Sequence, residues 1–262
     1  MSNVIRVFWS GGFSSTFRVL ELSRYEDIII EPIYIMHNDR SEPSIIQTIK
    51  EVKGLLLSDS QFKASFAELV CVDSNSISPN REITEAYHKL SKDLNLDPEV
   101  ELLARYAHSI GQKVEISFAN VEPSYKYNRL GKIEVEEISV AQGRNYYVLT
   151  DESDKDIYTL FSNFYFSRSL FKMTQRDMYA KARERFSDSL LLRSWFCTMP
   201  INDQPCGVCE ACQGVINAKM RFRLTAKAFR RGQRTSKYPL LKKYYELKTK
   251  LDAKINGPSN SN

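Results

Sequence analysis

The chain has 262 residues, of which 42% are hydrophobic, as expected for one large α/β domain or for such a domain with an appendage. Its formal net charge of +5 is a mild excess that by itself excludes neither a small-molecule nor a nucleic-acid partner. No apolar run approaches the roughly 18 residues of a membrane span, and a strand follows directly after Met1-Ser2-Asn3. We therefore expect no membrane span, no secretory leader and a cytoplasmic location.

The first motif is a glycine turn between a strand and a helix. Residues 4–9 are rich in β-branched and aromatic side chains and predict a buried strand, and a helix is predicted over residues 15–24. Between them, Gly11 and Gly12 allow the backbone to approach an anion closely. Backbone N–H groups and the helix dipole at one point predict a phosphate or pyrophosphate site, although an ordinary turn has the same spacing. Hydroxyl donors surround it: Ser10, Ser15 and Thr16.

Residues 10–15, Ser-Gly-Gly-Phe-Ser-Ser, resemble the Ser-Gly-Gly-x-Asp-Ser loop of the PP-loop ATP pyrophosphatases. The resemblance implies a fold of the adenine-nucleotide alpha-hydrolase (HUP-like) class, with ATP and Mg²⁺ as cofactors. It implies a nucleotide-binding set in this loop: Ser10, Gly11, Gly12, Phe13, Ser14, Ser15 and Thr16. Ser10 and Ser15 are then expected to act in catalysis. The aspartate of the family falls on Ser14, and this departure bears on catalysis more than on nucleotide binding.

Further along the chain, strands alternate with helices of about ten residues or more, which predicts a doubly wound parallel sheet. The predicted strands cover residues 28–36, 66–72 and 113–120, and the predicted helices cover residues 43–57, 82–90 and 98–110. Cys71 falls within a predicted strand and is expected to be a buried thiol. Arg40 follows the strand over residues 28–36, at a carboxyl end where such sheets bind ligands, and is a candidate anion contact. In PP-loop folds adenine packs against the ends of the first two strands, which here include Met36.

The second half of the predicted domain begins with a hairpin. Residues 133–140 and 145–150 form two predicted strands joined by Gln142-Gly143-Arg144. The aromatic-rich residues 156–171 have the spacing of a helix core, which we favour over a platform for stacking bases. Thr174 is a predicted cap for a helix over residues 175–186.

Four cysteines near the C-terminus have metal-ligand spacing. The pattern C-x8-C-x2-C-x2-C comprises Cys197, Cys206, Cys209 and Cys212. Four thiolates suit tetrahedral zinc, and a closed site of this kind predicts a structural Zn²⁺. An iron–sulfur cluster is the alternative, since C-x2-C-x2-C also occurs in ferredoxins.

Trp195-Phe196-Cys197 followed by Pro205-Cys206-Gly207-Val208-Cys209-Glu210-Ala211-Cys212 resembles the zinc motif of the 7-cyano-7-deazaguanine synthase family. That family adenylates 7-carboxy-7-deazaguanine, displaces AMP with ammonia and dehydrates the amide to a nitrile. The resemblance implies a carboxylate-activating ligase acting on a deazapurine, a homodimer, and a role in nucleic-acid modification or phage defence. Relatives tend to carry a lysine where this chain has Gln175, so Lys172 is the candidate catalytic cation.

Basic and aromatic residues crowd the stretch after the zinc motif and predict a nucleic-acid surface or a protein-partner surface. A tRNA-modifying PP-loop enzyme and a non-catalytic binding module therefore remain alternatives to the deazaguanine-synthase reaction. The predicted organisation is a nucleotide-binding domain over residues 1–190, a zinc segment over 191–218, a basic helical tail over 219–255 and a disordered end over 256–262.

Overall fold

The computed structural model describes residues 4–94, 96–118, 134–140, 144–150, 152–171, 173–186, 188–237, 240, 243–245 and 247. They form two compact units. The first unit comprises Met1–His37 and Ile49–Ser194, and the second comprises Asn38–Thr48 and Trp195–Asn262. The predicted tail over residues 256–262 lies outside the described residues, and the four-part division of the chain stays a prediction.

The first unit contains a mixed sheet of eight strands that is mostly parallel, so the predicted α/β class is confirmed. The strands are Val4–Phe8 (β1), Ile29–Met36 (β2), Ser65–Phe66 (β3), Val70–Asp73 (β4), Val114–Ile116 (β5), Val135–Val140 (β6), Arg144–Leu149 (β7) and Phe164–Ser167 (β8). Their order is β3-β2-β1-β5-β8-β7-β6, and β4 also pairs with β2. All pairs are parallel except β6 with β7 and β7 with β8, which confirms the predicted hairpin.

Two groups of helices pack in the first unit. The helices are Phe13–Leu22 (α1), Arg81–Ser91 (α3), Glu99–Ser109 (α4), Lys155–Phe161 (α5), Arg168–Phe171 (α6), Gln175–Arg185 (α7) and Asp188–Leu192 (α8), and Glu42–Ser58 (α2) begins in the second unit. Helices α3, α4 and α5 contact one another, as do α1, α7 and α8. A core of alternate strand residues, including Phe8, Ile33 and Val114, packs with the α3–α5 group.

The structure corrects the helical interpretation of residues 156–171. Only α5 and the short α6 are helical there, and β8 lies between them. Phe164 and Phe166 are fully buried in the core, whereas Tyr165 between them is only partly buried. This alternation has the period of two that a strand requires, and the dense aromatic sequence fits a period of 3.6 equally well.

Three smaller predictions can be compared with the structure. The strand expected over residues 66–72 is divided into β3 and β4, and Cys71 is exposed, so the prediction of a buried thiol is wrong. The predicted cap at Thr174 is confirmed, because its hydroxyl and the carboxylate of Asp177 form a reciprocal capping box at the start of α7.

The second unit contains Glu210–Asn217 (α9), a 3-10 turn over Arg221–Arg223 and Ala226–Lys237 (α10). Helix α9 contacts both α10 and the 3-10 turn. In the described part of the chain, we find no helix with the length and apolar character needed to cross a lipid bilayer.

Candidate functional site

The four predicted metal ligands come together in the second unit. The sulfur atoms of Cys197, Cys206, Cys209 and Cys212 are all buried and lie within 4.8 Å of one another. The Sγ atoms of Cys206 and Cys212 are 3.8 Å apart, and those of Cys209 and Cys197 are 4.0 Å apart. A tetrahedral ion with metal–sulfur bonds of about 2.3 Å holds its sulfurs about 3.8 Å apart. The four cysteines could therefore bind a metal ion such as zinc.

Backbone N–H groups point at these sulfurs. The amide of Cys206 donates to the sulfur of Cys197 at 3.1 Å, and that of Gly207 donates to the sulfur of Cys212 at 3.3 Å. The amides of Val208 and Cys209 donate to the sulfur of Cys206 at 3.3 and 3.2 Å. Such bonds favour thiolate over thiol, so the loop is arranged for anionic sulfur.

Helix α10 packs directly on the cysteine loop. Gly207 has a φ of +81°, and a Cβ there would stand 1.9 Å from the carbonyl oxygen of Ala228. A Cβ at Gly232 would stand 2.5 Å from the carbonyl oxygen of Gly207. The Arg231 guanidinium donates through Nε to the carbonyl oxygen of Cys206 at 2.8 Å. Two glycines thus allow a close approach that no larger residue permits.

Arg223 supplies a half-buried positive charge beside the cysteines. Its guanidinium lies over the ring of Phe196 at 4.5 Å from the centroid. Burial lowers the pKa of Arg223 to about 10, an effect that the negative charge of Cys212 opposes, so Arg223 stays charged at neutral pH. Hydrogen bonds among the four thiols lower the pKa of the Cys206 and Cys209 thiols and raise the pKa of the Cys197 and Cys212 thiols. Arg223 is a member of this centre that the spacing of the cysteines did not reveal.

The glycine turn of the first unit follows β1, the strand at which the order of strands in the sheet reverses. Strand β1 is flanked by β2 on one side and by β5 on the other, so the carboxyl end of β1 is a topological switch point. Ligands of open α/β sheets bind at such points. Gly11 has a φ of +67°, and α1 begins at Phe13, two residues earlier than predicted.

The start of α1 offers polar groups to a ligand. Its cap residue is Gly12, no side chain of the described residues caps it, and no acidic residue lies in its first turn. The hydroxyls of Ser10 and Ser15 are 3.1 Å apart, and the indole N–H of Trp9 donates to Thr16 at 3.0 Å. Thr16 and Ser15 are buried and Ser10 is exposed, so Thr16 supports the turn while Ser10 faces solvent.

Ser117 is a candidate that the motif did not reveal. It follows β5, whose Glu115 pairs with Val7 of β1, so Ser117 and the glycine turn follow neighbouring strands. The Ser117 Oγ is buried and has no hydrogen-bond partner among the described residues. A buried hydroxyl without a partner is unfavourable unless a ligand or water satisfies it.

The remaining predicted site residues are scattered. Met36 ends β2, is partly buried and lies opposite Asp73 of β4. Arg40 is exposed and belongs to the second unit, whereas the glycine turn belongs to the first. Lys172 lies outside the described residues, and Gln175 is the first residue of α7.

No protein-family model matches this sequence, and no curated protein matches it at a significant level.

Proposed function

We propose that this protein is an ATP-dependent enzyme that activates the carboxylate of a 7-carboxy-7-deazaguanine-like substrate by adenylation. The observation that carries the proposal is the uncapped start of α1 at the Gly11 turn, at the switch point of a mostly parallel sheet. Uncapped helix amides and the helix dipole favour a phosphate group at that position. A HUP-like class for this sheet is part of the same proposal.

In the proposed reaction, a carboxylate oxygen of the acid attacks the α-phosphorus of ATP. The new oxygen–phosphorus bond forms as the bond to the bridging oxygen breaks, and pyrophosphate leaves with that electron pair. The amides at the start of α1, with Ser10 and Ser15, would hold the leaving pyrophosphate. Mg²⁺, when bound, neutralises the charge that develops on it. Ammonia then displaces AMP to give an amide, and loss of water from the amide gives the nitrile.

We further propose that the four cysteines hold one structural Zn²⁺. Two sulfurs bound tetrahedrally to the same ion lie about 3.8 Å apart at a bond length of about 2.3 Å, and the pairs Cys206–Cys212 and Cys209–Cys197 lie 3.8 and 4.0 Å apart. These separations support a single shared ion over a cluster, whose cysteines bind different iron atoms. A zinc ion closed off by four thiolates stabilises the fold and takes no part in the reaction.

The test of the enzymatic proposal is pyrophosphate release from ATP, measured with and without 7-carboxy-7-deazaguanine. We expect acid-dependent release, and we expect Ser14→Asp, which restores the carboxylate of the PP-loop pattern, to increase it. Ser10→Ala should weaken ATP binding, and Ser78→Ala, a serine that follows a different strand, is the matched control. ATP binding without pyrophosphate release in both wild type and Ser14→Asp would indicate a non-catalytic binding module instead.

The basic surface of α10 favours a second candidate, a tRNA-modifying PP-loop enzyme. Lys227, Arg230 and Arg234 are exposed and spaced as one helix face, and no described carboxylate pairs with them. Such a face attracts the phosphates of a nucleic acid. Charge reversal of all three should reduce the affinity for tRNA by more than tenfold and flatten its salt dependence. Reversal of Arg81, Lys155 and Arg176 is the control, and equal loss in both would exclude a site on α10.

The proposed homodimer and the cytoplasmic location stay predictions. Sedimentation at several protein concentrations tests the first, and localisation of a tagged full-length chain tests the second.

A further inference from the structure

A polar cleft of about 750 Å³ opens in the first unit beside the C-terminal half of α1. Its walls come from α1 and the turn after it, from the region of β7 and β8, and from α7. Ligand sites in proteins typically have volumes of about 300–1,000 Å³. The residues of the glycine turn do not line this cleft.

The floor of the cleft is a closed network of charges. Arg18 pairs with Glu115, which is fully buried, and the Nη1 atom of Arg18 lies 3.3 Å from the carboxylate of Glu21. Glu21 also accepts from Lys181 at 2.5 Å and from the hydroxyl of Ser169 at 2.5 Å. Burial alone would lower the pKa of Arg18, but Glu115, with Tyr146 and Glu21, raises it above its ordinary value. These groups satisfy one another, and they fix the shape of the cleft.

The rim of the cleft, which carries Arg24 and Arg185, has positive charge that the floor network does not neutralise. Of the described residues that line the cleft, five are cationic and one, Glu21, is a carboxylate. Arg18 and Lys181 belong to the floor network, and Arg168 pairs with Glu137 at 3.2 Å. Arg24 and Arg185 remain. Arg24 forms no ion pair with any described residue and lies over the ring of Phe186 at 5.6 Å. Among the described residues, Arg185 has an ion-pair contact only with its exposed neighbour Glu184, at 3.9 Å. Two arginines that line one cleft, without a close carboxylate among the described residues, supply the charged donors that bind a phosphate.

Aromatic surface lies next to these arginines. Phe186 packs edge-on against the buried Phe17 at 5.9 Å between centroids, which fixes its ring, and Phe186 is itself only partly buried. Tyr25 is 41% exposed at the same cleft. Rings held in this way stack on nucleobases with little loss of conformational freedom.

We propose that this cleft is a second ligand site, which binds a nucleoside phosphate through Arg24 and Arg185 while its base contacts Phe186 and Tyr25. The site is distinct from the glycine turn. Glu21 lies eight positions after Phe13 in α1, which is about 12 Å along the helix at a rise of about 1.5 Å per residue. The proposal does not depend on the proposed reaction.

The experiment measures equilibrium binding of AMP, with ribose 5-phosphate as the probe that lacks the base. Arg24→Glu/Arg185→Glu should weaken AMP binding by about tenfold or more, because both phosphate contacts become repulsive. Arg176→Glu, an exposed arginine of α7 outside the cleft, is the matched control and should bind as wild type. Phe186→Leu should weaken AMP by about fivefold or more and leave ribose 5-phosphate unchanged.

Three results would overturn the proposal. The first is wild-type AMP affinity in Arg24→Glu/Arg185→Glu, and the second is equal affinity of wild type for AMP and ribose 5-phosphate. The third is loss of AMP binding in Ser15→Ala alone, which would place AMP at the glycine turn. If melting shows that Phe186→Leu is not folded, Tyr25→Ala tests the base contact, since Tyr25 is exposed.

Discussion

The main chain of Gly207 approaches that of Ala228 so closely that a single added methyl group would stand 1.9 Å from a carbonyl oxygen. Helix α10 is therefore built onto the cysteine loop without intervening side chains at this point. The cysteine loop and the basic helix α10 form one packed structure, and a change in either is expected to affect the other.

Gly207→Ala is expected to detach helix α10 from the cysteine loop and to weaken metal binding. A left-handed φ costs an alanine about 1–2 kcal/mol, and the overlap with Ala228 adds to it. Gly111→Ala is the matched control, because Gly111 has a φ of +61° with nothing within 4 Å of the added Cβ. Urea unfolding and zinc content should show a small loss of stability in Gly111→Ala and full zinc, with a larger loss and less zinc in Gly207→Ala. Equal losses in the two variants would contradict the close packing.

One zinc ion per chain should be present after purification in metal-free buffer, and Cys209→Ser should abolish it. Cys71→Ser, at the exposed cysteine, is expected to keep the full content. Protons compete with the metal for thiolate, so zinc should be released as the pH falls and retained at neutral and alkaline pH. Elemental analysis across a pH series measures the zinc content. Iron in place of zinc would indicate an iron–sulfur cluster instead.

Arg223→Met should weaken zinc binding by about 10- to 100-fold, the range seen when supporting groups around a metal are removed. Four thiolates and one Zn²⁺ carry a net negative charge, and Arg223 is a half-buried cation beside them. The exposed Arg221 belongs to the same 3-10 turn, so Arg221→Met is the control and should bind zinc as wild type. Competition with a chelator gives both affinities, and unchanged affinity in Arg223→Met would show that its charge has no role.

Glu115→Gln should lower the free energy of unfolding by about 3–5 kcal/mol, because it leaves Arg18 as a buried charge with a weakened partner. Arg6 and Glu31 form a comparable pair at 2.8 Å with side chains about a quarter exposed, and Glu31→Gln should lose less than about 1 kcal/mol. The double variant Arg18→Met/Glu115→Leu is expected to be more stable than Glu115→Gln. Urea unfolding of the three variants measures the differences.

Local patterns predicted the mostly parallel sheet well, because hydrophobic residues recur with different spacings in buried strands and in amphipathic helices. Residues 164–167 could not be assigned in this way, since consecutive aromatics satisfy both periods and only pairing with β5 and β7 decides between them. Cys71 illustrates the same limit, because its exposure depends on the position of β4 beside β2 and not on its neighbours in the chain.

The candidate sites also differ in how far the sequence predicts them. The cysteine ligands lie close together in the sequence, so spacing alone predicts their convergence. Arg223, Ser117 and the rim arginines of the cleft reach their positions through packing, and no local signal distinguishes Arg223 from the exposed Arg221 two residues earlier. Arg40 shows the reverse case, in which a residue near a strand end belongs to a different unit from the glycine turn.

The second unit takes one of its segments, Asn38–Thr48, from the middle of the first, so no single cut can separate the two units into contiguous fragments. During synthesis on the ribosome, that segment emerges long before Trp195–Asn262 is made. It has no partner segment until Trp195–Asn262 has been synthesised. A truncated transcript that ends near Ser194 would therefore yield the first unit with an unpaired insertion, a form that cellular quality control is expected to degrade.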